Sequence, residues 1–147
     1  MIGKINNPDR MTSAEIVVGI PSYNEADSIA GPVEVATQGL LEYFPNQSAV
    51  IVNVDNHSPD GTQEAFFNAP SKVPKIYVST AEGVTGKGRN IHNLLEVAVD
   101  LRAGVILTLD ADLKSVTPAW IRHLAEPLFD GYDYVVPIYS RHKYDGT

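Results

Sequence analysis

The sequence predicts an α/β fold, in which a mostly parallel sheet is flanked by helices. Short apolar runs rich in branched residues recur along the chain, and such runs are typical of buried strands. Segments with helical spacing of apolar residues separate these runs, and strands that alternate with helices build a parallel sheet covered on both faces. With 147 residues, the chain is long enough for one domain with a hydrophobic core.

The first strand–helix unit lies in the first third of the chain. Residues 15–20 are predicted to form a strand, and a turn follows at 21–24. Residues 28–44 are predicted to be helical. Pro32 falls in an early turn of this helix, where proline is tolerated because the amide hydrogen is not needed there.

The second unit is shorter. Residues 49–54 form the second predicted strand, which runs into a segment dense in turn formers at 55–62. A short helix is predicted at 63–67, followed by a third strand at 75–79.

The third unit starts with a glycine-rich loop at 83–88. Residues 89–102 are predicted to form a helix, and a buried strand follows at 104–109. The helix is expected to present one apolar face, made of Ile91, Leu94, Leu95, Ala98 and Leu101.

The end of the chain predicts one more helix and one more strand. Thr117 and Pro118 are an N-cap and first-turn signal for a helix that runs to about residue 128. A last strand is predicted at 134–138. We expect residues 1–14 to be a loose N-terminal extension and residues 15–147 to be a single domain.

Composition limits the classes of function. The formal net charge of −7 argues against a general nucleic-acid binder. The chain has no cysteine, which excludes disulfides and thiolate chemistry and fits a cytoplasmic location. No run is long enough for a transmembrane segment, and the N-terminus lacks the pattern of a signal peptide.

The most informative motif is the Asp-Ala-Asp sequence formed by Asp110, Ala111 and Asp112, directly after the predicted strand at 104–109. Two carboxylates at a strand end repel each other unless a cation lies between them. Mg²⁺ is typically held by one or two carboxylates together with substrate phosphates. The pair therefore suggests a site for a metal-bound phosphate compound, although a polar strand end would look the same in sequence.

Other segments are expected to meet at the same edge, because ligands of parallel sheets bind beyond the carboxyl ends of the strands. Tyr23 can stack on a base, and Asp55 can accept a hydrogen bond from a base or ribose. Lys87 stands between two glycines just before a predicted helix, where a phosphate can approach the backbone. The loop is not a Walker A motif, because position 81 is alanine and Lys87 is followed by glycine.

The order of these motifs resembles that of the GT-A nucleotide-diphospho-sugar glycosyltransferases, in particular family 2. The resemblance rests on Pro-Ser-Tyr-Asn-Glu at 21–25, Asp55 with Ser-Pro-Asp-Gly-Thr at 58–62, Gly-Lys-Gly at 86–88 and Asp-Ala-Asp at 110–112. It covers about residues 15–147. It implies a Rossmann-like GT-A nucleotide-sugar-binding domain.

The resemblance also implies roles for individual residues. A nucleoside diphosphate sugar would be the donor, with Mg²⁺ or Mn²⁺ as cofactor and an unknown acceptor. The base and ribose would contact Pro21, Tyr23, Glu25 and Asp55, the diphosphate would face Lys87, and Asp110 with Ala111 would complete the donor site. Asp112 and Asp110 would hold the metal. Acceptor contacts are expected from Arg141, Lys143 and Tyr144.

The resemblance leaves alternatives open. Members of this family normally continue beyond this point into an acceptor region, which we expect to be truncated or absent here. The general base is unknown, and His142 is a candidate only by its position. The chain is therefore expected to be a metal-dependent glycosyltransferase or its donor-binding portion, or a non-catalytic nucleotide-sugar-binding or assembly module, and a homo-oligomer is one form it can take. A haloacid-dehalogenase-type phosphatase and a nucleotidyltransferase fit less well, because their motifs belong near the first strand.

Overall fold

The computed structural model describes residues 2–137 as a single five-stranded sheet with helices on both faces. The strands are β1 (Ile2–Asn6), β2 (Ile16–Ser22), β3 (Ala49–Asp55), β4 (Lys75–Thr80) and β5 (Val105–Thr108). The helices are α1 (Ala30–Tyr43), α2 (Thr62–Asn68), α3 (Lys87–Asp100) and α4 (Ala119–Phe129). The strand order is β1-β4-β3-β2-β5.

Four of the five strands are parallel, as the sequence predicts. Strand β2 pairs with β3 and β5, and β3 pairs with β4, all in parallel register. Residues of β2, β3 and β4 are almost all buried, because helices cover both faces and the strands therefore need no polar side.

The expectation of a loose N-terminus is wrong for residues 2–6. They form β1, which pairs antiparallel with β4 at the edge of the sheet, and Ile2 lies opposite Thr80. The strand is short and mostly exposed, and it forms because β4 offers it a free edge. Local sequence carries little signal for such a strand.

The two faces of the sheet have separate cores. One core joins α1, α2 and α4 to alternate residues of the strands, including Ile16, Val18 and Ile51. The other joins α3 to the intervening residues, including Val17 and Val52. Within the described part of the chain, no helix has the length and apolar character needed to cross a membrane.

Helix α3 is rotated relative to the predicted apolar face. Leu94, Ala98 and Leu101 are buried as expected, but Leu95 is 48% exposed. Asn90 and Asn93 are buried in its place, each at 1% exposure. These two residues lie in the first two turns of α3, near the carboxyl ends of the strands, where polar strand ends replace the apolar core.

The predicted last strand at 134–138 is not found in its described part. Residues 134–137 form no strand, and Tyr134 is 83% exposed. Residue 138 lies outside the described residues. Branched residues favour a strand by propensity, but a strand also needs a partner, and among residues 2–137 the outer edge of β5 has none.

A buried lysine closes the far end of α2. Lys75 is only 7% exposed, and its Nζ donates to the backbone carbonyls of Phe66, Phe67 and Ala69. These carbonyls lie at the end of the helix, where backbone oxygens lack partners within the helix. Lys75 therefore attaches the C-terminal end of α2 to the sheet. The N-terminal end of the same helix, at Thr62, lies at the sheet edge that carries the predicted site.

Candidate functional site

The carboxyl ends of the parallel strands bring the predicted segments to one edge of the sheet. Ser22 at the end of β2 lies opposite Asp55 at the end of β3, and Asp55 lies opposite Ser79 of β4. On the other side of β2, Gly19 pairs with Thr108, two residues before Asp110. The loops that follow β2, β3, β4 and β5 therefore all leave from this edge.

The glycine-rich loop and the Asp-Ala-Asp motif are in direct contact. Lys87 Nζ donates to Asp110 Oδ1 at 2.7 Å. Both side chains remain half-exposed or more, at 66% for Lys87 and 50% for Asp110, so a ligand can reach them. Lys87 is the first residue of α3, whose N-terminal end carries unpaired amides and a partial positive charge. The two predicted phosphate-site motifs thus meet at one point.

The structure separates the three residues of the Asp-Ala-Asp motif by exposure. Asp110 and Asp112 are exposed, whereas Ala111 is buried at 3% and packs into the core of the α1 face. Among residues 2–137, no group of three or more acidic, histidine or cysteine side chains is placed to hold a metal ion. A cation at this site would accordingly take its remaining ligands from a bound phosphate compound, which is a normal arrangement for Mg²⁺.

Asp55 lies beneath this edge and is completely buried. Its Oδ1 accepts hydrogen bonds from Ser22 Oγ and Ser58 Oγ, both at 2.7 Å. Its Oδ2 accepts from Ser58 N at 2.8 Å and from Tyr77 Oη at 2.7 Å. An ionised carboxylate offers about four lone-pair sites. All of them are used inside the protein, so a base can bond to Asp55 only if one of these donors moves away.

Two pKa shifts accompany this network. Burial raises the pKa of Tyr77, and the hydrogen bond to the Asp55 carboxylate raises it further, so the phenol stays protonated as a donor. Burial works against the charge of Asp60, but hydrogen bonds from the Thr62 side chain and the Ala26 and Thr62 amides outweigh it and lower the pKa of Asp60. Asp60 is therefore held as a carboxylate, the form that accepts these hydrogen bonds.

The segment after β2 presents side chains of different exposure. Pro21 is buried within β2, whereas Tyr23 is 52% exposed and Glu25 is partly buried. Glu25 accepts a hydrogen bond from Ser28 Oγ at 2.7 Å. Asn24 has a left-handed backbone conformation, with φ at 53°. Tyr23 thus offers an open aromatic face at the sheet edge.

Three asparagines lie at this edge, and the sequence analysis gave none of them a role of its own. Asn56 and Asn90 are buried, and each has an Oδ1 atom without a hydrogen-bond partner among the described residues. Asn90 Nδ2 donates to Ser22 O at 3.2 Å, which ties α3 to the end of β2. Asn93 has neither amide atom paired within that part of the chain. The only feature of the sequence that could have indicated a role for Asn56 is its position directly after Asp55, at a strand end.

An open cavity of about 1140 Å³ lies along the outer side of β5. Its lining includes Lys87 and Asp110 and extends to Trp120 and Tyr134. Tyr23 and the other residues of the β2 loop do not line it. The cavity therefore adjoins the phosphate end of the predicted site rather than its base end.

The fold and this edge define a Rossmann-like GT-A domain, the class that the sequence predicts. The chain belongs to the glycosyl transferase family 2, whose family model matches residues 17–147. Ordered motifs at strand ends therefore identified the family correctly. No curated protein sequence matched the chain closely enough to count as a relative.

Solved structures with the same fold include two sugar-phosphoglycerate synthases. Glucosyl-3-phosphoglycerate synthase from Mycobacterium tuberculosis, in complex with uridine diphosphate, is 20% identical with a TM-score of 0.61; 80% of this chain and 41% of that chain are covered. Mannosyl-3-phosphoglycerate synthase from Rubrobacter xylanophilus is 23% identical with a TM-score of 0.61; 80% of this chain and 37% of that chain are covered. The mycobacterial enzyme has also been solved with Mn²⁺ or Mg²⁺. The chain thus spans about two fifths of the length of these structures.

The predicted acceptor residues Arg141, Lys143 and Tyr144, and the candidate base His142, lie outside the described residues. The acceptor side of the site therefore stays a prediction from sequence.

Proposed function

We propose that this chain binds a nucleoside diphosphate sugar together with a divalent cation and serves as the donor-binding part of a glycosyltransferase. The observation that carries the proposal is the 2.7 Å contact between Lys87 and Asp110. The contact brings the positive charge of Lys87, at a helix N-terminus, next to the negative charge of Asp110, at a strand end. A metal-bound diphosphate needs both: a positive side chain for its phosphates and a carboxylate for its metal ion. Membership of the glycosyltransferase family supports the same function.

The phosphate end of the site follows from these charges. Lys87 would face the diphosphate, and Asp112 with Asp110 would hold Mg²⁺ or Mn²⁺. The donor set fits a hard cation, because both carboxylates are exposed and ligand phosphates can complete the coordination. A bound divalent cation supplies charge neutralisation of the departing nucleoside diphosphate. Lys87 would pair with the diphosphate, releasing Asp110 from its present ion pair.

The base end combines Tyr23, Glu25 and Asn56. Tyr23 would stack on the base, since its ring is half-exposed, and Glu25 would reach the ribose. For the edge of the base we favour the amide of Asn56 over the carboxylate of Asp55. All acceptor positions of Asp55 are occupied, whereas the Oδ1 atom of Asn56 has no partner among residues 2–137; it is buried, so a base would reach it after a side-chain movement that breaks no hydrogen bond of that atom. Pro21 is buried and would support Tyr23 from beneath.

Binding is tested by thermal unfolding with uridine and guanosine diphosphates and their sugar conjugates, each with and without MnCl₂. A ligand at a hundred times its Kd adds about 2.7 kcal/mol of stability, or about 5–10 °C in Tm for a domain of this size. Asp112→Ala is expected to remove the Mn²⁺-dependent part of the shift. Lys114→Ala, a nearby exposed change outside the proposed site, is the matched control. If the unaltered chain shows no shift with any of these compounds, the proposed function is refuted.

Transfer is a separate question from binding. Release of nucleoside diphosphate from a bound donor, measured with the 147-residue chain, distinguishes an enzyme from a non-catalytic binding module. The extension of the domain to residue 147, a cytoplasmic location and a homo-oligomeric state stay predictions, as do the acceptor contacts of Arg141, Lys143 and Tyr144.

A further inference from the structure

The loop after β2 is held by the loop after β3 through three successive backbone amides. The acceptors are side chains from residues 58–62, more than thirty positions away in the chain. The three bonds are Asn24 N to Ser58 Oγ (2.8 Å), Glu25 N to Thr62 Oγ1 (3.1 Å) and Ala26 N to Asp60 Oδ2 (3.1 Å).

Each hydroxyl in this set is oriented by a carboxylate. Ser58 Oγ donates its hydrogen to Asp55 Oδ1 at 2.7 Å, and Thr62 Oγ1 donates its hydrogen to Asp60 Oδ1. Because the single hydroxyl hydrogen is used in this way, the oxygen turns a lone pair towards the amide of the opposite loop. Hydrogen bonds that involve a carboxylate are also stronger than those between neutral groups.

The tip of the held loop is exposed to solvent. Tyr23 is 52% exposed, Asn24 is exposed, and Asn24 has a left-handed backbone conformation with φ at 53°, which asparagine adopts more readily than most other residues with a side chain. Contacts to the backbone on either side of Asn24 select this conformation from the others open to an asparagine. Backbone hydrogen bonds fix the two ends of the loop, at Ser22 O and Glu25 O, and the three hydrogen bonds from the amides of residues 24–26 hold the part between and just after them.

A second set of buried contacts lies below Ser58. Asp55 accepts hydrogen bonds from the Ser58 backbone amide and hydroxyl, and each of its two oxygens accepts one more, from Ser22 Oγ at Oδ1 and from Tyr77 Oη at Oδ2. Asn53 Nδ2 in turn donates to Ser22 Oγ at 2.9 Å. The position of Ser58 is therefore set by residues of three neighbouring strands, β2, β3 and β4.

We propose that Ser58, Asp60 and Thr62 are positioning residues that hold segment 23–25 in the shape that receives the nucleoside, with Asp55 and Tyr77 fixing Ser58 from beneath. The inference rests on the proposed function, because segment 23–25 matters to binding only if a nucleoside lies there. The role of the Ser-Pro-Asp-Gly-Thr segment at 58–62 is then to hold the loop after β2, and not to contact the ligand directly.

The hydrogen bonds are tested first, without any ligand, by hydrogen–deuterium exchange of segment 23–27. Ser58→Ala and Thr62→Ala each delete one acceptor, and exchange is expected to become about fivefold faster for each lost bond. Thr62→Ser keeps the hydroxyl and should exchange nearly as the unaltered chain does. Thr37→Val is the matched control, because it deletes a buried hydroxyl of α1 that bonds to Val33 O and Ser71. Unchanged exchange in both alanine variants would overturn the proposal.

The consequence for the ligand is tested by titrating uridine diphosphate with MnCl₂ into the same proteins. Ser58→Ala and Thr62→Ala are expected to weaken Kd about five- to tenfold, because a smaller fraction of the chain holds the binding shape. Thr62→Ser should restore most of the affinity, and Thr37→Val should lower Tm without changing Kd. Loosened exchange with an unaltered Kd refutes the positioning role. Failure of the unaltered chain to bind refutes the proposed function instead, so the two failures are distinct.

Discussion

Replacing Gly19 with alanine tests how closely α3 lies on the sheet. A Cβ atom added at Gly19 would stand 2.3 Å from Leu94 Cδ2 and 2.7 Å from Leu94 Cδ1. Such distances are impossible without movement. Leu94 is 1% exposed and packed on all sides, so its side chain has no open space to enter. Either Leu94 adopts a strained rotamer or α3 moves outwards.

The expected loss of stability can be worked out for a substitution at each of the two residues, Gly19 and Leu94. Overpacking by one methyl group costs about 1–3 kcal/mol, and the reduced backbone freedom of alanine returns about 0.5 kcal/mol. Gly19→Ala should therefore lower the free energy of unfolding by about 1–2 kcal/mol. Leu94→Ala deletes a buried side chain and should cost about 3 kcal/mol. It also removes the three atoms that the new Cβ would meet.

The double variant gives the decisive comparison. Independent effects would sum to about 4–5 kcal/mol, but the added methyl group then fills part of the space left by Leu94, so we expect a loss of only about 2–3 kcal/mol. The assay is equilibrium unfolding in urea, with the m-value checked for two-state behaviour. Additive losses within about 0.5 kcal/mol would show that Gly19 and Leu94 do not limit the approach of α3, and the argument would fail.

Three further changes test other parts of the structure. Lys87→Met should leave the free energy of unfolding within about 0.5 kcal/mol, because its ion pair with Asp110 is exposed and screened, yet calorimetry should show a large loss of diphosphate affinity; a stability loss without an affinity loss would contradict the proposed role. Asn56→Ala should weaken nucleotide binding about fivefold with little change in Tm, and an unchanged Kd would exclude Asn56 as a base contact. Lys75→Met should lower the free energy of unfolding in urea by about 2–3 kcal/mol, because the carbonyls at the end of α2 lose a charged donor. Burial lowers the pKa of Lys75, so the unfolded chain binds that proton more tightly, and stability should rise with pH on approach to 10.5 in the unaltered chain but not in the variant.

Sequence predicted the parts of this fold that depend on local patterns. The four parallel strands and the helices between them follow from apolar runs, spacing and turn residues, and their ends agree within a few positions. Strand β1 was missed, and the strand at 134–138 was predicted where residues 134–137 have none. Both outcomes depend on whether a distant strand edge is available, which no local pattern records.

The candidate site shows the same division. The sequence predicted that Lys87 and Asp110 lie at the same edge of the sheet, because both follow strands of one parallel sheet, and the two side chains are in contact there. It did not reveal that Asp55 is fully occupied, since its four donors come from two neighbouring strands, β2 and β4, and from the loop after β3. Nor did it show that Asn90 and Asn93 face inwards, because helical spacing alone gives a face of α3 and not its rotation on the sheet.

The antiparallel direction of β1 affects how this protein should be handled at the bench. Ile2 lies opposite Thr80, so the chain enters the sheet at the same edge from which the binding loops leave. Only β4 separates β1 from β3, and Asp55 is therefore about 10 Å away across the sheet. An affinity tag fused ahead of Ile2 would emerge beside the proposed nucleotide site and compete with the ligand for space. Binding measurements call for protein from which any such tag has been cleaved.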